Sequence, residues 1–280
     1  MYLRPADLQD ALRARAAGPC TVLAGGTDFY PARVGRPVEE DVLDLSALAA
    51  LRGIRATGAG VRIGALTTWS ELAAAPLPRA LDALKLAGRE VGGVQIQNAG
   101  TIGGNLCNAS PAADGVPPLL ALGAEVELAS LRGTRTLPLA GFVLGNRRTA
   151  CAPDELVTAV IVPQWRDRAR STFLKLGARR YLVISIAMVA AAIECDGQGA
   201  IARCGVAVGA CSAVAQRLPA LEAALAGRQL APGIGATVTP AHLAPLAPIG
   251  DVRASAAYRS DAAATLVARA LEKLAHEQAA

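Results

Sequence analysis

Two short glycine-rich segments constrain the fold of this chain more than any other feature of the sequence. The first is AGGTD at residues 24–28, which ends an apolar run that begins at Thr21, and the second is TIGGN at residues 101–105. In both, a glycine pair follows an apolar residue and is joined to a threonine and a short polar side chain. Glycine lets the backbone bend without a Cβ atom, so that successive N–H groups converge on an anion. We therefore predict two turns whose main-chain amides together bind the two phosphates of one dinucleotide.

Neither segment matches the common nucleotide-binding signatures. No Gly-Lys-Ser or Gly-Lys-Thr follows either glycine pair, which excludes a Walker loop, and neither segment has the GxGxxG spacing of a Rossmann fold. Glycine pairs also occur in ordinary turns, and GGTD alone is more typical of a hairpin than of a ligand site. The nucleotide interpretation therefore depends on the two segments occurring together.

Composition and charge exclude several classes of function. Apolar residues make up 52% of the 280 residues and charged residues 18%, which is typical of a globular protein. Aromatic residues make up only 3%, so few side chains are available for stacking on single-stranded bases. The net charge of +5 comes mainly from scattered arginines, with short clusters only at residues 147–148 and 179–180. Because no basic stripe results, we expect no nucleic-acid partner.

The cysteines and histidines do not have the spacing of a metal site. The six cysteines form no CxxC pair, and the two histidines, His242 and His276, lie far apart. We therefore predict no metal and no iron–sulfur cluster in this chain, and we expect most of the cysteines to be small buried hydrophobes in a reducing compartment. The N-terminus lacks an apolar signal region, and the longest apolar run, residues 181–193, is too short to span a bilayer. We expect a cytoplasmic protein without a membrane partner.

The pattern of apolar residues predicts an α+β fold in two or three modules. A helix after Pro5 should end at Gly18, and a short helix should begin at Thr68 or Ser70 as its N-cap. Segment 78–100 should be a helix running into a loop, and the polar segment 164–170 is the best candidate for a linker. Because strands and helices do not alternate regularly, we predict no Rossmann sheet. Strands are predicted at residues 20–25, 40–48, 60–67 and 154–163, a helical turn followed by a strand at residues 117–130, and an alternating strand pair at residues 200–218. Further helices are predicted at residues 218–227 and 260–277.

Several motifs taken together resemble a known family. AGGTD, the segment QIQNAGTIGGNLCNASPAAD at residues 95–114 and FLKLGARR at residues 173–180 are similar to the FAD-binding medium subunit of the molybdenum hydroxylases. This is the flavoprotein of the xanthine dehydrogenase and carbon monoxide dehydrogenase group. DVRASAAYR at residues 251–259 agrees with the resemblance, which runs from about residue 1 to residue 275.

The resemblance implies both the fold and the cofactor. Residues 1–165 would form a two-part FAD-binding region of the vanillyl-alcohol-oxidase (PCMH) type, and residues 170–278 a C-terminal α+β domain. The first glycine loop would bind the FAD pyrophosphate by its amides, and the second would form a phosphate and ribityl loop. Asp114 would hydrogen-bond further along the cofactor, Val157 would touch the ring system through its backbone, and Lys175 would lie by the flavin, where a cation stabilises the electron-rich reduced form. The residues implied to bind FAD are Leu23, Ala24, Gly25, Gly26, Thr27, Asp28, Phe29, Thr101, Ile102, Gly103, Gly104, Asn105, Asp114, Val157 and Lys175.

The family often places an aromatic side chain against the isoalloxazine ring, and this chain has few aromatic residues. Phe29, Phe173 and Tyr181 are the candidates. Each of them fits equally well as an ordinary core residue.

The function implied by the resemblance is electron transfer. The chain would be the flavoprotein subunit of an oxidoreductase, taking electrons from a small 2Fe–2S subunit through FAD to NAD⁺, oxygen or another acceptor. A large molybdenum-cofactor subunit would oxidise the substrate, so this chain would carry no catalytic residue. The assembly would be a heterotrimer or a dimer of heterotrimers.

Two alternatives stay open at the level of sequence. One is a non-catalytic nucleotide-binding module with a regulatory or assembly role. The other is a self-contained flavin oxidase of the same fold, which would need its own substrate pocket with a base. The two distant histidines give that second alternative little support.

Overall fold

A computed structural model describes residues 1–166 and 168–279 of the chain, which contain several short helices, one long C-terminal helix and four sheets. Helices and strands are mixed but do not alternate in regular βαβ units, which confirms the predicted α+β class. The strands are β1 Tyr2–Leu3, β2 Thr21–Leu23, β3 Val42–Asp44, β4 Ile54–Thr57, β5 Gly60–Gly64, β6 Glu125–Ser130, β7 Gly133–Pro138, β8 Val143–Gly145, β9 Arg148–Thr149, β10 Leu156–Pro163, β11 Arg170–Leu176, β12 Ala187–Cys195, β13 Ile201–Gly209 and β14 Gln216–Arg217. The α-helices are α1 Leu8–Ala17, α2 Trp69–Ala74, α3 Asp82–Glu90, α4 Val94–Ala99, α5 Ile102–Asn108, α6 Val116–Ala121, α7 Leu139–Phe142, α8 Pro219–Leu225 and α9 Ala256–Ala279.

The N-terminal part is a small parallel sheet covered by one helix. Its strands run in the order β1-β3-β2, and α1 lies between β1 and β2 in the chain. The side chain of Asp7 accepts the N–H of Asp10 at 2.9 Å, which caps the helix, and the helix ends at Gly18 as predicted. Leu12 is buried in the core that also contains Leu43. The chain leaves this sheet after β2 and enters the first glycine segment directly.

The middle of the chain forms a five-stranded antiparallel sheet in the order β4-β5-β10-β6-β7. Helices α2, α3, α5 and α6 contribute buried side chains to its core, including Trp69, Leu84 and Ile102. Thr68 is the N-cap of α2: its side chain accepts the N–H of Glu71, while the Glu71 carboxylate accepts the N–H of Thr68 at 2.7 Å. This capping box decides between the two predicted N-caps in favour of threonine.

The C-terminal part is a four-stranded antiparallel sheet, β11-β12-β13-β14, with helices on both faces. All nine residues of β12 are buried, which explains why this part of the sequence is a continuous apolar run instead of an alternating one. Ala190 and Ala192 face the core shared with α3 and α6, while Val189 and Ala191 face the core shared with α8 and α9.

The segment predicted as a linker packs tightly against the rest of the molecule. Trp165 is buried, its Nε1 donates to the carbonyl oxygen of Leu122 at 3.1 Å, and the guanidinium of Arg203 lies 3.9 Å from its ring centroid. The polar, charged composition predicted a loose connection, but the large apolar ring of Trp165 anchors the segment in the core. Asp167, also in this segment, lies outside the described residues. Among the described helices, none is both long and apolar enough to cross a membrane.

Candidate functional site

A cleft of about 490 Å³ lies where the parallel sheet meets the five-stranded sheet. Most of its lining comes from three parts of the chain: residues 20–29 around the first glycine pair, residues 100–108 around the second, and residues 147–157 from the β8–β9 hairpin to the start of β10. Among the predicted site residues, those that line the cleft are Leu23, Ala24, Gly25, Gly26, Thr27, Asp28, Phe29, Thr101, Gly103, Gly104, Asn105 and Val157.

The two glycine segments pack against each other at this cleft. A Cβ atom on Gly25 would lie 1.8 Å from the carbonyl oxygen of Ala99, so only glycine allows the contact. A Cβ on Gly100 would lie 3.5 Å from Oγ1 of Thr27, and one on Gly104 would lie 4.0 Å from Cβ of Ala24. The absence of side chains therefore lets two segments far apart in sequence form one continuous wall.

The first segment presents a row of unpaired amides. From Ala24 to Phe29, no main-chain N–H has a hydrogen-bond acceptor among the described residues. All six residues line the cleft, and Gly26 has a left-handed backbone with φ of 71°. Adjacent N–H groups that line a cleft without protein partners can donate together to one anion. The loop thus has the donor set that a diphosphate needs.

The second segment is a helix N-terminus whose amides are already used. The N–H of Ile102 donates to the carbonyl oxygen of Thr67 at 3.0 Å, and that of Gly103 to Ala65 at 2.8 Å. The N–H of Gly104 donates to Oγ1 of Thr101 at 3.0 Å, which caps α5. These three amides are not available to a phosphate, contrary to the prediction. The side chains remain available: Asn105 lines the cleft, and its Oδ1 is buried without a partner among the described residues.

Asp114 and Lys175 are brought together, but outside the residues that line the cleft. Nζ of Lys175 lies 2.8 Å from Oδ2 of Asp114 and also donates to the carbonyl oxygen of Glu90, and Ser185 Oγ donates to Asp114 Oδ1 at 3.0 Å. Burial raises the pKa of Asp114, and the Lys175 cation opposes that rise. Ile102 also lies away from the cleft, in the core.

The aromatic candidates differ in their positions. Phe29 lines the cleft, with the guanidinium of Arg33 at 3.8 Å from its ring centroid and Tyr30 packed edge-on at 5.1 Å. Phe173 is buried in the core, and Tyr181 is exposed. Phe29 is therefore the one of the three whose ring lies at the cleft.

Sequence reasoning missed several charged residues at the cleft. Arg147, on the β8–β9 hairpin, places Nη2 at 3.0 Å from Oδ2 of Asp28 in the amide loop. Arg15 lines the cleft and donates to the carbonyl oxygen of Cys20 at 2.8 Å. Glu155 also lines it and is paired with Arg135 at 2.6 Å. The only signal for Arg147 in the sequence was the Arg147-Arg148 cluster, which has the composition of an ordinary solvated surface.

Three cysteines were also missed, because nothing in their spacing suggests a common location. Cys20, Cys107 and Cys151 all line the cleft. Burial raises the pKa of the Cys107 thiol to about 12 and that of Cys151 to about 11, so both are neutral thiols near pH 7. Within the described ranges, no group of three or more histidine, cysteine or carboxylate side chains could hold a metal ion.

Comparison with known proteins gives consistent matches over the whole chain. Residues 1–165 match the family described as the FAD binding domain in molybdopterin dehydrogenase, and residues 172–274 match the CO dehydrogenase flavoprotein C-terminal domain. The nicotinate dehydrogenase FAD-subunit of Eubacterium barkeri is 37% identical over 206 residues, covering 71% of this chain and 70% of that protein. Subunit alpha of the 6-hydroxypseudooxynicotine dehydrogenase complex of Paenarthrobacter nicotinovorans is 31% identical over 281 residues, covering 98% of this chain and 94% of that protein.

A solved structure shows the same fold. It is a carbon monoxide dehydrogenase from Hydrogenophaga pseudoflava that lacks the Mo-pyranopterin moiety of its molybdenum cofactor. One of its chains superposes on this chain with a TM-score of 0.89 and 29% identity, covering 99% of this chain and 97% of that one.

Proposed function

Because this chain belongs to the family of FAD-binding medium subunits of the molybdenum hydroxylases, we propose that it is the electron-transfer flavoprotein subunit of such a complex. FAD is the cofactor of this family, and the chain is accordingly an oxidoreductase subunit. The observation that carries the proposal is a row of six main-chain amides that have no acceptor in the described part of the chain and line a cleft where two glycine segments meet. When bound, FAD supplies the capacity to accept and release electrons, which is chemistry of the cofactor itself.

Different residues of the chain make different contacts with the cofactor. The amides from Ala24 to Phe29 are the donors for the diphosphate. The hydroxyl of Thr101 and the amide side chain of Asn105 face it from the start of α5, where Gly103 and Gly104 keep the wall free of side chains. Val157 contacts the cofactor through its main chain at the start of β10, and Phe29 is the aromatic contact.

Asp114, Lys175 and Ile102 support this arrangement from behind the wall. Gly115 follows Asp114 directly, and a Cβ on Gly115 would lie 2.8 Å from Oδ1 of Asn105. The buried pair of Asp114 and Lys175 therefore holds the segment against which Asn105 packs. Ile102 anchors α5 in the core beneath the same wall. Their role in the proposal is to position the residues that line the cleft.

Partners complete the proposed electron path. Electrons enter from a small 2Fe–2S subunit and leave through FAD to NAD⁺, oxygen or another acceptor, while a large molybdenum-cofactor subunit oxidises the substrate. The names of relatives support this, since one is a complex subunit and another, nicotine 6-hydroxylase of Paenarthrobacter nicotinovorans, is represented by its medium subunit. Exposed apolar side chains at Val94, Tyr181, Leu182 and Ile184 provide surface for such a contact, and Leu182 lies close to Gly93, the residue before Val94. We propose a heterotrimer, single or doubled, in the cytoplasm.

Purification of the chain tests the cofactor assignment. The protein should be yellow, absorb at about 450 nm and bleach on addition of dithionite. Denaturation should release FAD and not FMN, measured by chromatography. A colourless protein that FAD cannot reconstitute would favour the nucleotide-binding regulatory or assembly module instead.

Co-expression with candidate partners tests the electron path. Genes that flank this one should encode the 2Fe–2S and molybdenum subunits, and the three chains should purify together. The 2Fe–2S subunit, reduced separately and freed of reductant, should then bleach the flavin absorbance when it is mixed with the oxidised flavoprotein chain. Turnover of an organic substrate by the chain alone would instead indicate a self-contained flavin oxidase.

A further inference from the structure

We propose that Arg147, which lines the cleft beside the amide loop, binds the diphosphate of the cofactor, and that Asp28 positions it. The inference rests on the proposed function, and it assigns a role to a hairpin that neither glycine segment includes. The geometry, the charges of the cleft and the backbone of the hairpin support it independently.

The geometry brings Arg147 from the β8–β9 hairpin to the amide loop. The hairpin pairs Val143 with Thr149 and Gly145 with Arg148, so Arg147 lies in the turn. Its Nη2 reaches Oδ2 of Asp28 at 3.0 Å, over a separation of 119 residues in the chain. Nε and Nη1 have no acceptor among the described residues, although an arginine can donate five hydrogen bonds. One edge of the guanidinium is thus held by Asp28, and the other remains available to a ligand.

The charges of the cleft favour a cation beside Asp28. Asp28 belongs to the same loop as the six unpaired amides, where an uncompensated carboxylate would repel a phosphate. Pairing with Arg147 removes that repulsion. Of the two other arginines that line the cleft, Arg33 is paired with Glu40 and stacks on Phe29, and Arg15 donates to the carbonyl oxygen of Cys20 but has no carboxylate partner among the described residues. Arginine is also suited to the role, because its planar fork matches two phosphate oxygens at once.

The backbone conformation of the hairpin also supports a binding role for Arg147. Arg147 has φ of 56°, in the left-handed region that glycine and asparagine adopt at less cost. Strain of this kind persists at binding sites, where the side chain is needed in one place. An ordinary surface turn would be more stable with glycine at this position.

Titration of the full-length apo chain with FAD, followed by flavin fluorescence at low and high salt, tests the proposal. Arg147→Ala should raise the Kd for FAD by about 10- to 100-fold at low salt, the range expected for a lost charge-assisted hydrogen bond. The ratio of this Kd to that of the wild type should fall at high salt, because ions screen the attraction between Arg147 and the diphosphate in the wild type. Arg147→Lys should recover part of the affinity. The matched control is Arg148→Ala, because Arg148 is the exposed neighbour on the same hairpin and does not line the cleft, and its Kd should stay within about twofold of the wild type.

Arg147→Gly separates binding from a structural role. Glycine relieves the left-handed backbone, so the thermal midpoint of the apo variant should equal or exceed that of the wild type, while its affinity for FAD falls as in Arg147→Ala. A residue that only stabilises the hairpin would show the opposite: a lower midpoint for Arg147→Ala and an unchanged Kd for Arg147→Gly.

The outcomes distinguish this inference from the proposed function. If the wild type binds FAD and both variants bind it equally well at both salt concentrations, the role of Arg147 is refuted while the proposed function stands. If the wild type binds no FAD at all, both fail together.

Discussion

Cys107 is the thiol whose position can report directly on the cofactor. Its side chain is exposed to the cleft, yet protein surrounds it on the other sides and raises its pKa to about 12. We predict that bound FAD slows alkylation of Cys107 at least about tenfold, because the ligand fills the space through which a reagent approaches. Because the thiolate reacts, the rate in the apo chain should rise about tenfold per unit between about pH 7 and pH 10. Peptide mass spectrometry after timed maleimide treatment measures both effects.

Cys204 is the internal control for this experiment. It is partly exposed and has a pKa raised by burial to about 11, but it lies on β13 and not among the residues of the cleft. Its alkylation should be equally fast with and without FAD. Equal protection of Cys107 and Cys204 would indicate a general stabilisation of the chain and would contradict occupancy of the cleft.

The buried pair of Asp114 and Lys175 predicts a pH-dependent stability. Lys175→Met removes the cation and leaves a carboxylate whose pKa burial already raises. A folded-state pKa above the unfolded one gives stability that is present below the unfolded pKa of about 3.9 and is lost as the pH rises through the folded value. The loss in the free energy of unfolding should therefore grow from about pH 4 to pH 8, reaching about 3 to 5 kcal/mol. Urea denaturation at several pH values measures it.

The double variant Asp114→Asn, Lys175→Met is the matched comparison. It has no buried carboxylate left to titrate, so its stability relative to the wild type should not follow the same curve. If the free energies of unfolding of the single and the double variant depend on pH in the same way, a group other than Asp114 causes that dependence.

At the scale of elements, the sequence predicted most of the elements that position the site. Helix α1, the strand before the first glycine pair and the N-cap at Thr68 all follow from local rules, namely apolar spacing and capping. The second glycine segment was predicted as a turn, because a glycine pair is typical of a break between elements. In the structure this segment begins α5. Gly103 instead allows the helix to approach Ala65, since a Cβ there would lie 2.8 Å from the Ala65 Cβ. That requirement comes from a tertiary contact, which no local pattern contains.

Some residues of the site could likewise be predicted from adjacent sequence, whereas others reach the site only through tertiary packing. The amide loop was predictable because strand, glycine pair and polar residue are adjacent in the chain. Arg147 and Cys107 were not, since they reach the cleft only through the packing of the β8–β9 hairpin and of α5. Lys175 was expected beside the flavin from the resemblance alone, and its observed partner, Asp114, is 61 residues away.

The segment before α9 is an element whose stability depends on one carboxylate. Oδ1 of Asp251 accepts the N–H of Arg253 at 2.8 Å and Nη2 of Arg259 at 2.7 Å, and Arg259 donates onward to the carbonyl oxygens of Ile186 and Ala210. These hydrogen bonds lower the pKa of Asp251 to about 2, and the one from the main-chain N–H of Arg253 has the largest effect. A lowered folded-state pKa gives stability that is present above the unfolded value of about 3.9 and is lost as the pH falls towards 2.

We therefore predict that Asp251→Asn lowers the thermal midpoint at about pH 5, and that its difference from the wild type shrinks as the pH falls to about 2. Calorimetry at a series of pH values measures this. Asp261→Asn, an exposed change on α9 itself, should show no such convergence. A difference for Asp251→Asn that stays constant down to the lowest pH would refute the role of its charge.

At the scale of the whole molecule, the C-terminal sheet serves two cores at once. Ala190 and Ala192 on β12 pack with α3 and α6 of the preceding region, while Val189 and Ala191 on the opposite face pack with α8 and α9. Trp165 fills the junction between the regions and is hydrogen-bonded to Leu122. The boundaries proposed for the two domains, residues 1–165 and 170–278, thus separate segments whose cores are continuous.

This continuity predicts that the chain unfolds as one cooperative unit. A fragment of residues 1–169 would expose the apolar faces of α3 and α6 that β12 covers, so it should aggregate or bind a hydrophobic dye, whereas the full chain should show a single thermal transition. Trp165→Ala should lower the free energy of unfolding by about 3 to 5 kcal/mol without splitting that transition, because the cavity lies in a core that both regions share. Calorimetry of the full chain, with the ratio of calorimetric to van't Hoff enthalpy, measures cooperativity directly. Since α5 belongs to the same core, a fragment of residues 1–169 that gave its own sharp transition and retained FAD would show that the cofactor cleft does not need the C-terminal sheet.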